Sequence, residues 1–387
     1  MSSVLDEKST RFHSWLLPAI ISQSLIMGGG YSTGREITQY AGRFGPQGWL
    51  AVVVIFVGFA LLSALAFEVA RLGGHYDYKS WSQSLIGPLW PLFDLLVVAM
   101  LLLIIAVMAA AIGSVLRQTI GLPDAVGLGI AFVFVGLLAW KGERFMERFK
   151  TFGSVALYLG YLAFAAFVLA SPRPVVPAAP APVPHSEVLI SSIQYVGYNL
   201  ATFPAVLFCL HRQKSRTDTA VSGVLSGLLM TLPFALTLLC LLRFWPDPAV
   251  IDAEVPWLVM LEQAAGGPSA AALWAALFGI VAGWTLLETA VGGIHALVDR
   301  IDRNLGDLPE AVRPSAGRLS DVARVVLSVA VLAAALLLSR IGIIDLVAKG
   351  YGMLAWGFIV LLAIPLLTVG VWRILTAAPS PKGRGEA

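Results

Sequence analysis

Charge is what this chain has least of. Lys, Arg, Asp and Glu together make up 13% of its 387 residues and apolar residues 58%, against roughly 25% and 45 to 50% in soluble domains. So few charges cannot clothe a globular surface, and the composition is that of an integral membrane protein. A net charge of +3 is too small to support nucleic-acid binding, and its placement says more than its sum. Cysteine is nearly absent. Cys209 and Cys240 both sit in apolar runs, which excludes a disulfide framework and gives no thiolate metal site. No HExxH or similar pair occurs among the five histidines, and Ser, His and Asp appear without a nucleophile context. Neither an enzyme nor a resident cofactor is expected. A cleavable leader is also missing: "MSSVLDEKSTRFH" carries mixed charge, and the apolar run after it has no small-residue cleavage site, so the first span is expected to remain.

Long apolar runs are plentiful. Crossing a bilayer takes about 20 apolar residues, more with tilt. Ten segments qualify: 13–42, 47–71, 88–117, 124–140, 151–170, 188–210, 219–242, 270–298, 320–340 and 342–373. The Pro-rich joint 171–187, "SPRPVVPAAPAPVPHSE", divides them into five (13–170) and five (188–373), with tails at 1–12 and 374–387. Counted on alternate sides, nineteen Lys and Arg fall on the side of the N-terminus and six on the other, while Lys349 lies within the tenth segment. The positive-inside rule then places both termini in the cytoplasm, with the chain in the inner (cytoplasmic) membrane. The acidic joint 243–269 is expected outside, where "VPWLVMLEQAAG" reads as a short re-entrant or surface helix. An odd number of spans per half turns the second half upside down, so an all-α inverted repeat is expected.

Each half opens on an interrupted segment. The first breaks at "GGGYSTG", Gly28 to Gly34. The sixth carries "YVGYNLATFP", in which Gly197, Asn199, Thr202 and Pro204 all weaken a helix. In hydrocarbon each unpaired backbone group costs several kcal/mol, so an interruption requires protein, water or ligand to satisfy it. The bland reading of such glycines is a close helix crossing. Interruptions at matching places in two halves point instead to a solute site near mid-membrane. Gly28, Gly29, Gly30, Tyr31, Ser32, Thr33 and Gly34 are its expected wall on one side and Tyr195, Tyr198, Asn199, Thr202 and Phe203 on the other, with Trp284 and Tyr351 as further aromatic candidates.

Gly29, Gly30, Tyr31, Thr33, Gly34 and Glu36, with "YVGYN" in the sixth segment and "AKGYG" in the tenth, give a pattern that resembles the YkvI-like membrane proteins over residues 12 to 373. That family looks like a branch of the amino acid–polyamine–organocation superfamily. The resemblance implies a LeuT-type fold with helices 1 and 6 discontinuous. It also implies a secondary active transporter working by alternating access, with Na⁺ or H⁺ as the coupling ion and an amino acid or related amine as solute. Its partners would be that small molecule and the lipid bilayer, with homo-oligomerisation left open. The rival reading is a membrane receptor or scaffold that keeps the fold without transporting. One departure stands out: "LLVVAMLLLIIAVMAAAIGSVL" in the third segment lacks the tyrosine that LeuT-type amino acid transporters present to a substrate carboxylate.

Ionisable groups within spans are functional suspects. Glu68, three residues before Arg71, and Asp94 lie near the inner ends of their segments and read as interfacial partners. Glu288 has no basic residue one turn away. With Thr285 and Thr289 and the carbonyls around Ile26, Met27 and Gly30, it forms the expected cation-coupling site, oxygen ligands suiting hard cations, or else carries the coupling proton itself. The resemblance also implies two gate pairs, Arg35 with Asp345 outside and Arg11 with Asp299 inside, Glu36 being grouped with the outer gate. The bland alternative pairs Asp345 with Lys349 on its own helix and leaves Arg35 to solvent or to Glu36.

Overall fold

A computed structural model describes residues 11–123, 126, 127, 129, 133, 143–306 and 319–377. The expected fourth span, 124–140, falls almost wholly outside them. Among the described residues all regular structure is helical. The helices are α1 (Leu17–Ile26), α2 (Gly29–Thr33), α3 (Arg35–Tyr40), α4 (Gly48–Gly73), α5 (Tyr78–Ile86), α6 (Trp90–Ile120), α7 (Glu143–Ala170) and α8 (His185–Asn199). They continue with α9 (Arg216–Leu241), α10 (Pro248–Ile251), α11 (Pro256–Ala264), α12 (Pro268–Gly306), α13 (Asp321–Ser339), α14 (Ile343–Asp345), α15 (Gly352–Phe358) and α16 (Val371–Thr376). Among the described residues six stretches are long and apolar enough to cross a membrane: Gly42–Gly73, Tyr78–Ile120, Arg216–Leu241, Pro268–Leu305, Val322–Ser339 and Ile343–Thr376.

Local chemistry sets the ends. Ser215 and Asp218 close a reciprocal capping box at the start of α9, and Asp77 caps α5 through the Ser80 amide at 2.9 Å. Outward faces stay apolar: Val53, Val57 and Leu61, one turn apart on α4, are each about half exposed, as suits a surface solvated by lipid rather than water. Inward faces carry small residues. A Cβ on Gly223 would come within 2.5 Å of the Ala64 backbone, and one on Gly227 within 2.7 Å of the Ala60 backbone. Alpha 9 and α4 therefore touch main chain to main chain.

The interfacial acids behave as their positions imply. Glu68 takes Arg71 at 2.7 Å and the Thr219 hydroxyl at 2.9 Å. Asp94 takes Arg300 at 2.5 Å and Asn304 at 2.8 Å, with the Arg300 guanidinium 3.8 Å above the Tyr78 ring. The expected surface helix at 256–264 forms as α11, but Pro256, Trp257, Leu258, Met260 and Leu261 are all buried, so it packs into the protein instead of lying on it.

Candidate functional site

The chain from Leu17 to Tyr40 is three short helices in place of one. Alpha 1 ends where the Met27 amide reaches Gln23 O at 3.0 Å. Gly28 then turns out of helical geometry at ψ −133°, α2 makes a single turn, and Gly34 takes the left-handed conformation at φ +77° before α3 resumes. Both glycines are also required by what packs on them. A Cβ on Gly28 would lie 2.8 Å from Thr289 Oγ1, and one on Gly34 would lie 2.9 Å from the Trp257 ring. The broken strand of chain is thus clasped between α12 and α11.

The second interruption lies later and has another form than the sequence implies. Val196, Gly197, Tyr198 and Asn199 remain in α8. From Leu200 the chain winds more tightly, as 3-10 turns over Leu200–Ala205, which contain Pro204, and over Leu207–Arg212. Gly197 serves a close crossing: a Cβ there would meet Ile359 at 2.9 Å and Ala355 O at 3.0 Å. Asn199 and Thr202 are engaged locally, Asn199 donating to Tyr195 O at 2.8 Å and Thr202 to Asn199 O at 2.7 Å. Phe203 is buried.

Aromatic residues join the two interruptions. The Tyr195 hydroxyl donates to that of Tyr31 at 2.8 Å, and Tyr31 donates on to Met230 O at 3.0 Å. The Tyr198 hydroxyl donates to Glu36 Oε2 at 2.5 Å. Tyr198 packs on Tyr351 with ring centroids 4.8 Å apart and on Tyr40 at 5.5 Å, while Tyr195 meets Tyr40 at 5.5 Å and Phe234 at 4.8 Å. All five tyrosines are 2% exposed or less. Tyr351 is positioned by a wider π-helical stretch, Leu346–Tyr351. Beside the first interruption a small cavity is lined by Ser32, Tyr161, Trp257 and five apolar residues. The buried Trp257 Nε1 has no hydrogen-bond acceptor.

The expected cation site is brought together only in part. Thr289 abuts Gly28, near Ile26 and Met27, which are buried. Thr285 Oγ1, however, donates to Val281 O of its own helix at 3.0 Å, the common fate of a membrane threonine. Glu288 and Trp284 are half-buried. Among the described residues no group of three His, Cys, Asp or Glu could hold a metal ion.

Neither expected gate pair is formed. Asp345 is bound to Lys349 at 2.9 Å, one turn along the same helix, where the partner is held in reach without closing a loop. Arg35 Nη1 donates to the carbonyls of Ile251 at 2.8 Å and Ala253 at 3.0 Å, and Nη2 to Gln39 at 3.2 Å. At the other end Asp299 is taken by Arg324 at 3.2 Å, which also holds Asp302 at 2.7 Å. Arg11 lies over the Trp15 ring, 5.4 Å from its centroid. Glu36 faces Tyr198 and is separated in role from Arg35. The sequence reasoning missed Tyr40, Trp257, Tyr161 and Met230. The available signal for Trp257 was a large aromatic residue within the apolar stretch "VPWLVMLEQAAG" of an otherwise acidic joint, whereas a main-chain acceptor such as Met230 O leaves none.

No family profile matches the chain. It is similar to the uncharacterized membrane protein YkvI of Bacillus subtilis, 23% identical over 248 residues, which is 63% of this chain and 70% of that protein. The resemblance read in the glycine–aromatic–hydroxyl pattern is thus to a protein that the whole-sequence comparison also finds. Among solved structures, the Eremococcus coleocola manganese transporter superposes with a TM-score of 0.50 at 15% identity, covering 96% of this chain and 89% of that one. A Na⁺-coupled sialic acid symporter gives 0.48 at 13% identity, over 94% and 86%. The chain is a multi-span membrane protein with a transporter fold.

Proposed function

We propose that the protein is a secondary active transporter that moves a small organic solute, an amino acid or related amine, by alternating access. Ten spans are arranged as inverted halves, 13–170 and 188–373, joined by 171–187 outside the cell, with the tails 1–12 and 374–387 in the cytoplasm. The observation that carries this reading is the buried meeting of the two interrupted helices. Tyr195 on Tyr31 and Tyr198 on Glu36 tie the leading helix of one half to that of the other, beside the break at Gly28 to Gly34 in the first and just before the change to 3-10 turns at Leu200 in the second. A scaffold has no use for interrupted helices at its centre, since their polar groups are costly in lipid. A carrier needs both a polar site at mid-depth and elements that part there. Na⁺ or H⁺ drives the cycle. The Thr289 hydroxyl beside Gly28 supports Na⁺, and the absence of lysine within segment 151–170 removes one substitute for it, while Glu288 is the residue that would carry H⁺.

The test begins with thermal unfolding of the purified protein against amino acids, amines and nucleobases, with and without Na⁺, because a ligand of the native state raises its apparent stability. Stabilising solutes are then offered, radiolabelled, to proteoliposomes under an imposed Na⁺ or pH gradient. Uptake above the gradient-free rate is expected. Binding without uptake under either gradient would overturn transport and leave a receptor.

A further inference from the structure

Glu36 is electrostatically incomplete. The residue is 7% exposed and accepts one hydrogen bond, from Tyr198, and it forms no ion pair among the described residues. Its chain neighbour Arg35 turns the other way, into the carbonyls of Ile251 and Ala253. The nearest further arginine in sequence, Arg43, lies over the Phe44 ring at 4.6 Å. An unpaired buried carboxylate costs several kcal/mol, and such groups in membrane proteins persist where function needs them.

What surrounds Glu36 is aromatic. Tyr40 spends its hydroxyl on Val347 O at 3.1 Å and Tyr195 spends its own on Tyr31. These two therefore bring ring surface and no hydroxyl donor to the carboxylate, and Tyr351 stacks behind Tyr198. An aromatic ring offers a negative π face to a cation. A carboxylate backed by such faces is complementary to an organic ammonium, which takes the charge through Glu36 and buries its apolar body against the rings.

We propose that Glu36, with the rings of Tyr40, Tyr198 and Tyr351, is the recognition site for a protonated organic amine without a carboxylate of its own. The proposal deepens the transport reading and rests on it for what the bound amine is for. Zwitterions fare worse here, because the arginine adjacent in the chain is committed to the carbonyls of Ile251 and Ala253 and Glu36 itself repels a second carboxylate. In the closed arrangement the Tyr198 hydroxyl occupies the place of the ammonium. Because Glu36 is on α3, Tyr198 on α8 and Tyr351 on the last span, an ammonium held among them draws together elements of both halves.

The experiment uses the purified full-length chain at one near-neutral pH and constant ionic strength, with thermal unfolding as the readout. Phenethylammonium and tetramethylammonium are the probes. Phenylalanine, 2-phenylethanol and 3-phenylpropionate are the zwitterionic, neutral and anionic controls. The ammonium ions are expected to raise the melting temperature saturably and the controls are not. In Glu36→Gln the apparent affinity falls about tenfold or more, the scale of one charge-assisted contact. Tyr351→Leu, which leaves the carboxylate in place, weakens binding by a smaller factor. Glu36→Asp retains the preference for ammonium over alcohol, so the charge is tested even where the amide variant is poorly stable. No shift with either ammonium, an equal shift in Glu36→Gln, or an equal shift with 2-phenylethanol overturns the proposal. Intact ammonium binding without uptake in proteoliposomes removes the transport reading and leaves this site standing. Uptake of a solute without ammonium binding does the reverse.

Discussion

Arg35 is bonded to the carbonyls of Ile251 and Ala253, and on the topology proposed above removing it should open the protein outward. The residue is 5% exposed, and one terminal nitrogen serves the carbonyls of Ile251, which ends the short helix α10, and of Ala253, at 2.8 and 3.0 Å. Hydrogen bonds from a charged donor contribute roughly 1.5–3 kcal/mol each. Both exist only while the joint is down, and in the open state water replaces them. Arg35→Gln therefore costs the closed state about 3 kcal/mol and shifts the closed-to-open ratio about a hundredfold. Arg35→Lys should fall between, since a single ammonium cannot reproduce the fork that spans two carbonyls and Gln39. The shift is read with a cysteine at Ser32, in the cavity beneath Trp257, and a membrane-impermeant thiol reagent applied from outside. The native Cys209 and Cys240 are 4% and 0% exposed and give a low background. With opening fast relative to labelling, the rate rises in proportion to the open fraction. A rate in Ser32→Cys/Arg35→Gln within threefold of that in Ser32→Cys alone, with both variants folded and inserted, would refute the latch.

Three further outcomes are expected. Gly223→Ala pushes a methyl into the Ala64 backbone at 2.5 Å, where nothing flexible can yield, and should lower thermal stability by about 1–3 kcal/mol, measured by unfolding in detergent with Ser222→Ala as the comparison. Asp345→Asn breaks only a pair whose side chains are 48% and 81% exposed, so stability should change by less than about 0.5 kcal/mol and outward labelling at Ser32→Cys should be unchanged; a marked rise in labelling would restore Asp345 to the gate. Asp94→Asn leaves the half-buried Arg300 without its acid, with Nη2 already lacking a partner among the described residues, and should destabilise by about 2 kcal/mol, with Asp94→Asn/Arg300→Met recovering much of the loss in the same unfolding assay.

The fold was legible because its signals are additive. Every long apolar run that falls among the described residues became helix, and the glycine-rich stretch stopped one for a backbone reason: Gly28 leaves helical geometry at ψ −133° and Gly34 takes φ +77°. Signals resting on a single residue were less secure. Gly197 reads as a breaker by propensity, yet the tenth span presses Ala355 O and Ile359 to within 3.0 Å of where its Cβ would be, so the residue is small in order to be approached and the helix runs on. Propensity cannot separate these two uses, because both ask for the absence of a side chain.

The charge pairs formed in this structure differ from the expected gate pairs for a related reason. Seen in sequence, an arginine looks for an acid, and Asp345 stood at a suitable depth. In the folded chain Lys349 reaches Asp345 within a single turn, and Arg35 finds two carbonyls exposed where α10 stops. Main-chain acceptors are invisible in a one-letter string, although every helix end supplies them. That substitution of partner changes what Glu36 is. Had Arg35 been drawn toward an acid on the same side, Glu36 beside it would have shared a gate and been compensated there. With Arg35 anchored to the joint, the adjacent carboxylate faces the tyrosines with no cation of its own. The residue pair that opens α3 is therefore divided, one member fastening the outer joint and the other left to a charge that must come from outside the chain.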